Sequence, residues 1–232
     1  MDAVVMAAGQ GTRLRPLTEH WAKAVLPIDG RPVLAVLLRE LALAECERVW
    51  LVTGHLAEQV ETLAGDGSAF GVDVRSVRQP EVLGSADAVR RALEAGGQLP
   101  AVVSAADTLF AGGDIARFAR AFRESGAAGA IGVRTDPRPG PDRDPVRRSG
   151  RRLVRVRDTG GDGPWTPAPL WGLAEGVAER LCRDRPPYEL GNAYQSAIDD
   201  GETVIAVEIG KTRDLTYPLD LVKENFPYLR AT

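Results

Sequence analysis

Over the first 133 residues, short apolar runs alternate with stretches of helical periodicity, and no other feature constrains the fold as strongly. Val72–Val77 reads as a strand, and the apolar runs Ala3–Ala8, Val49–Thr53, Ala101–Ala105 and Ala127–Val133 are too short for helices and end at Gly or polar residues. They read as buried parallel strands, which are apolar throughout rather than alternating. Between them, Val33–Cys46, Leu56–Leu63, Ala86–Glu94 and Ile115–Arg123 carry apolar residues at helical spacing. Strands alternating with helices of roughly ten residues predict an α/β, Rossmann-like, mostly parallel (mixed) sheet with helices on both faces.

The rhythm breaks after residue 133. Thr135–Gly150 holds four prolines and mixed charge and reads as an exposed loop. Arg151–Arg157 and Ala168–Ala174 read as strands, Ala178–Arg183 as a helix, Thr203–Ile209 as a strand and Leu219–Phe226 as a closing helix. The simplest organisation is one domain over 1–232, with a regular part at 1–133 and a less regular part at 134–232. Little chain follows the closing helix, so no appended domain is expected.

Composition narrows the function. A net charge of −3 argues against holding nucleic acid through bulk electrostatics. No apolar run reaches membrane-spanning length and the N-terminus lacks a signal pattern, so a soluble cytoplasmic protein is expected. Two cysteines and two histidines make neither a disulfide framework nor a nitrogen–sulfur metal centre.

The informative segment is the loop after the first apolar run, Gly9-Gln10-Gly11-Thr12-Arg13-Leu14-Arg15-Pro16-Leu17-Thr18. Two glycines after a strand let backbone N–H groups approach a phosphate with no Cβ in the way. A dinucleotide fingerprint needs a third glycine where Leu14 stands. Gly210-Lys211-Thr212 suggests a Walker loop, but the glycine required five residues earlier is Ile205.

The pattern Gly9-x-Gly11-Thr12-Arg13-Leu14-x-Pro16-Leu17-Thr18, followed by Lys23, Leu26-Pro27-Ile28 and Pro32, resembles the signature of the sugar-1-phosphate nucleotidylyltransferases. The resemblance continues at Gln79-Pro80-x3-Gly84-Ser85-Ala86-Asp87-Ala88, at Ser104-Ala105-Ala106-Asp107, at Tyr188-Glu189-Leu190, and from Arg213 to Leu221. It is weakest between about 134 and 174.

The resemblance implies a transferase that joins a nucleoside triphosphate to a sugar 1-phosphate and releases pyrophosphate. The nucleophile is already an anion, so the task is to bring two polyanions together and stabilise charge in transit. By the resemblance, Arg13 and Lys23 are the catalytic cations, and Ala8, Gly9, Gly11, Thr12, Gln79, Gly84 and Ser85 hold the nucleotide. Gln79 carries a donor and an acceptor that match uracil or thymine, favouring UTP or dTTP. Asp107 and Asp214 are the expected ligands of a magnesium ion. Glu189, Trp171, Gly172 and Arg157 are the candidate acceptor-binding residues.

This chain departs from the family at several positions. Ala22 replaces the usual Pro before Lys23, Ala106 a common Gly, and Arg213 a frequent Trp. A second phosphate-binding Lys is absent from the strand near 153–157, where Arg157 is the candidate substitute. Two alternatives stay open: a guanylyl or cytidylyl transferase with another phosphorylated acceptor, and a non-catalytic binder of nucleotides or sugar nucleotides. No nucleic-acid or membrane partner is expected, and a homo-oligomer is compatible with the sequence.

Overall fold

The structure, a computed structural model, describes residues 1–136, 144–183 and 185–226. In chain order its strands are β1 (Asp2–Ala7), β2 (Pro27–Ile28), β3 (Arg31–Pro32), β4 (Arg48–Thr53), β5 (Asp73–Arg78), β6 (Ala101–Ala105), β7 (Thr108–Leu109), β8 (Gly129–Arg134), β9 (Arg147–Ser149), β10 (Arg152–Arg155), β11 (Thr166–Leu173), β12 (Val204–Glu208) and β13 (Arg213–Asp214). The helices are α1 (Val33–Leu43), α2 (Ala57–Ala64), α3 (Ser85–Glu94), α4 (Asp114–Ser125), α5 (Glu175–Ala178), α6 (Leu190–Asp199) and α7 (Pro218–Asn225).

Nine strands form one sheet in the order β5-β4-β1-β6-β11-β8-β12-β10-β9. The first four run parallel, while β11 lies antiparallel between β6 and β8. The mixed, mostly parallel sheet expected from the apolar runs is therefore present. Side chains alternate between two cores. Ala3, Val5, Val49 and Leu51 pack with Leu34, Leu37, Leu41 and Phe118 of α1 and α4 on one face. Val4, Trp50 and Val52 pack with Val89 of α3 and Tyr194 of α6 on the other. Burial on both faces is why these strands read as unbroken apolar runs.

The less regular part differs from expectation in three places. Arg147–Ser149, inside the predicted loop, is an edge strand paired with β10; residues 137–143 of that loop lie outside the described residues. The helix expected over 178–183 is instead the short α5, Glu175–Ala178, and the chain then turns, with Cys182 at φ +60. Helix α6 was not anticipated, although Leu190, Ala193, Tyr194 and Ala197 share one buried face. Among the described residues, no helix is long and apolar enough to cross a membrane.

Candidate active site

Parallel strands β1, β4, β5 and β6 all end at one edge of the sheet, where open α/β sheets bind ligands. The signature loop follows β1, Gly54 and His55 follow β4, Gln79 follows β5, and Asp107 follows β6. The fold thus gathers residues separated by about a hundred positions along one rim.

The signature loop is held from below and from the side. Leu14 is buried in a small cluster with Leu26, Ile28, Val33 and Leu215. The residue that rules out a dinucleotide fingerprint is therefore the loop's apolar anchor. Gly11 adopts φ +60, and a Cβ there would lie 2.9 Å from Thr18 Cγ2. Thr18 Oγ1 donates to the Gly11 carbonyl at 2.8 Å. His55 Nε2 lies 2.7 Å from the Thr18 carbonyl, which can only accept, so this ring nitrogen carries the proton. A Cβ at Gly54 would meet Ala8 Cβ at 2.9 Å. Thr18, Gly54 and His55 were not singled out in the sequence; their signal was their place at the end of β4 and within the loop. At Gly9, by contrast, a Cβ would meet no protein atom within 4 Å.

A cavity of about 260 Å³ opens over this loop, lined by Gly9, Gly11, Thr12, Arg13, Lys23 and Asp107, with Thr216 from the C-terminal segment. Ala8 lies buried behind this wall. Arg13 is exposed at the cavity, while Lys23 begins a single 3-10 turn and is half-buried. The amide of Ala22 donates to Gln59 Oε1 at 2.8 Å, which fixes the approach to Lys23 without the usual proline. Lys23 Nζ donates to Asp107 Oδ2. Asp214 is not among the cavity-lining residues; it lies on β13, which pairs antiparallel with β7 so that Asp214 stands opposite Thr108, the residue after Asp107. The Thr216 hydroxyl donates to Asp214 Oδ1 at 3.3 Å.

Gln79, Gly84 and Ser85 form a neighbouring cluster. Gln79 is buried, and its Nε2 donates to the Gly84 carbonyl at 3.1 Å and to Asp87 Oδ2 at 2.8 Å. Both amide hydrogens are engaged, so the side chain has only an acceptor left for a base, not the donor–acceptor pair expected from sequence. Asp87 is wholly buried and also accepts from Arg90 at 2.6 Å and Arg91 at 2.7 Å. Burial pushes its carboxyl up, but hydrogen bonds from Arg91, Gln79 and Arg90 outweigh this and hold it below the usual carboxylate range. Ser85 Oγ donates to Glu189 Oε2 at 2.6 Å.

The acceptor candidates divide. Glu189 precedes α6 and borders a recess of about 70 Å³ together with Tyr188 and Asn192. Gly172 does not join it: β11 pairs Gly172 with Val102, toward the amino end of β6, and a Cβ there would lie 2.5 Å from the Phe122 ring. Its carbonyl accepts from the buried Tyr194 hydroxyl at 2.8 Å. This glycine makes room for a core aromatic. Trp171 pairs with Val103 in mid-strand and packs against the second core. Arg157 is exposed and held by Asp144 at 2.9 Å, away from the cavity. Gly210 donates its amide to Asp114 at 2.7 Å and Lys211 pairs with Asp136 at 2.9 Å, consistent with no phosphate loop there.

Comparison with known proteins gives the family and the fold. The Nucleotidyl transferase family model matches residues 2–141. A glucose-1-phosphate thymidylyltransferase of Streptomyces antibioticus is 38% identical over 124 residues, covering 53% of this chain and 35% of that protein. A mannose-1-phosphate guanylyltransferase of Mycobacterium tuberculosis is 44% identical over 85 residues, covering 37% of this chain and 24% of that one. The matched stretch thus spans about a third or less of the length of these relatives. Among solved structures, a putative glucose-1-phosphate thymidylyltransferase from Bacillus anthracis superposes with a TM-score of 0.85 at 19% identity, covering 97% of this chain and 94% of that one. The fold of an inositol-1-phosphate CTP transferase from T. maritima is also shared, with a TM-score of 0.82 at 21% identity over 94% of this chain and 90% of that one. With the family model matching more than half of its 232 residues, the signature loop included, the chain belongs to the nucleotidyl transferase family.

Proposed function

We propose that this protein transfers a nucleotidyl group from a nucleoside triphosphate, UTP or dTTP in preference, to a sugar 1-phosphate. The observation that carries the reading is the single cavity in which Gly9, Gly11, Arg13, Lys23 and Asp107 converge. An acceptor phosphate oxygen forms a bond to the α-phosphorus, the bond from that phosphorus to the bridging oxygen breaks, and pyrophosphate leaves with the electron pair. Backbone donors of the loop and the Arg13 fork bind the β- and γ-phosphates. Lys23 exchanges its carboxylate partner for the α-phosphate and incoming phosphate, drawing two anions together.

The donor set suits magnesium, which takes one or two carboxylates and completes its shell with water and substrate phosphates. Asp107 and Asp214 supply such a pair, while no group of three metal-binding side chains occurs among the described residues. A magnesium ion held by Asp107 and Asp214 would supply charge neutralisation for the substrate phosphates.

One observation supports a second nucleotide choice. With only its carbonyl oxygen available, Gln79 is able to accept from N3–H of uracil or thymine, and equally from N1–H of guanine. It accepts as well from the exocyclic N4–H of cytosine. A guanylyl or cytidylyl transferase with another phosphorylated acceptor is therefore the alternative reading.

The test is magnesium-dependent pyrophosphate release across the common nucleoside triphosphates and a panel of sugar 1-phosphates. Turnover confined to UTP or dTTP supports the reading, and turnover with GTP or CTP alone selects the alternative. Nucleotide binding with no turnover across the panel overturns both in favour of a non-catalytic binder.

A further inference from the structure

Helices α3 and α6 meet at their N-termini, and Ser85 stands at the junction. Its Oγ donates to Glu189 Oε2 at 2.6 Å and accepts from the Leu190 amide at 2.9 Å. A residue on one helix thus caps the other, satisfying an amide that α6 leaves without an internal partner. The backbone reinforces the junction. Ala86 N donates to the Tyr188 carbonyl and Tyr188 N to the Leu83 carbonyl, each at 2.7 Å. Gly84 allows this approach, because at φ +110 a Cβ would lie 2.3 Å from the Tyr188 carbonyl oxygen. Gln79 Nε2 ties the other end of the loop to Gly84. The segment from Gln79 to Ser85 and the segment from Tyr188 to Leu190 are therefore one hydrogen-bonded unit.

We propose that Ser85 is a positioning residue for the acceptor rather than a contact to the nucleotide: its hydroxyl fixes the Glu189 carboxylate, and so links base binding to acceptor binding. The proposal rests on the nucleotidyltransferase reading above. The physical argument is that Glu189 is exposed. A surface glutamate samples several rotamers, and holding one of them costs side-chain entropy when a ligand arrives. With one carboxylate oxygen engaged by Ser85, the other is presented in a set direction to sugar hydroxyls. The Ser85 hydroxyl has one proton, which goes to Glu189, so it has none to donate to a phosphate or base.

The test compares the intact protein with Ser85→Ala, Ser85→Thr, Glu189→Ala and the double variant Ser85→Ala with Glu189→Ala, reading the affinity of dTDP and of dTDP-glucose by calorimetry and the exchange of the Leu190 amide by NMR. The expected result is that Ser85→Ala loses about tenfold in affinity for dTDP-glucose while dTDP stays within about twofold. Ser85→Thr keeps both affinities, and Ser85→Ala causes no further loss when Glu189 is already Ala. Faster Leu190 exchange in Ser85→Ala, with the remaining amides unchanged, shows that the junction alone was altered. Equal weakening of dTDP and dTDP-glucose overturns the proposal by making Ser85 a nucleotide contact. Unchanged affinity for both ligands overturns it as well, as does a full additional loss in the double variant. Failure of the intact protein to bind either ligand overturns the thymidine-nucleotide reading on which the proposal rests. Binding of dTDP with no gain from the glucose moiety removes the acceptor role of Glu189 alone.

Discussion

Lys23 Nζ donates to Asp107 Oδ2 across 84 residues of sequence, joining the signature loop to the end of β6. The side chains are 20% and 30% exposed, so the pair contributes modestly to stability, on the order of 1 kcal/mol or less. Its value lies in keeping a cation and a carboxylate poised at one cavity. Lys23→Ala is expected to lower kcat/KM about a hundredfold while leaving the thermal midpoint nearly unchanged. Steady-state kinetics beside thermal unfolding check this, and a variant with near-normal turnover would remove Lys23 from the chemistry.

The two loop glycines should respond differently to the same substitution. A Cβ at Gly9 meets nothing within 4 Å, and Gly9 does not have a positive φ. Gly9→Ala is therefore expected to fold normally and yet raise KM for the triphosphate about tenfold, because the added methyl stands where a phosphate must approach. Gly11→Ala faces φ +60 and a 2.9 Å contact with Thr18 Cγ2, and should lose about 1–2 kcal/mol of stability. If Gly9→Ala leaves KM unchanged, the glycine pattern has no bearing on binding.

Asp87 supplies a pH dependence with a defined sign. Burial acts to raise its carboxyl, but hydrogen bonds from Arg91, Gln79 and Arg90 outweigh it and hold the group below its ordinary value of 3.8. A depressed folded-state pKa means stability that is fully present above the unfolded value and lost as pH falls through the folded one. Asp87→Asn should therefore destabilise the protein by about 2 kcal/mol at pH 7. The gap should shrink below pH 3.8 as the carboxyl takes up its proton. Urea unfolding at a series of pH values reads this. A constant gap would show that the hydrogen-bond network does not depend on charge.

Much of the rim was legible in the sequence because its residues follow strands whose apolar runs are buried on both faces. Gly9, Arg13, Lys23 and Asp107 belong to continuous patterns and meet in one cavity. Gly172 was misread because a glycine near an aromatic looks the same whether it faces a ligand or, as here, the Phe122 ring. Helix α6 escaped notice because two alanines, Ala193 and Ala197, and the polar Asn192, Gln195 and Ser196 dilute its apolar face. The hydrogen bonds of Gln79 were not readable at all. They depend on Asp87 being buried eight residues further along, in the first turn of α3, which only the packed structure decides.

Arg213, standing where a tryptophan is common, replaces stacking area with a fork of hydrogen bonds. It donates to Asp29 through both terminal nitrogens, to the Glu224 carboxylate, and to the Glu224 carbonyl at 3.1 Å. Partners on the β2–β3 turn and near the end of α7 are thereby tied to the residue directly before Asp214. Lysine is a point charge without the planar fork, so it cannot reproduce these bonds together. Arg213→Lys is expected to lose about 1–2 kcal/mol and to loosen α7, since hydrogen bonds to charged groups contribute on that scale. Limited proteolysis within 217–226 beside thermal unfolding measures both effects. Increased cleavage there with a lowered midpoint identifies Arg213 as the clamp that holds the Asp214 strand. Unchanged cleavage would assign that role to Asn225, whose side chain bonds Pro27 and Gly30 across the same seam.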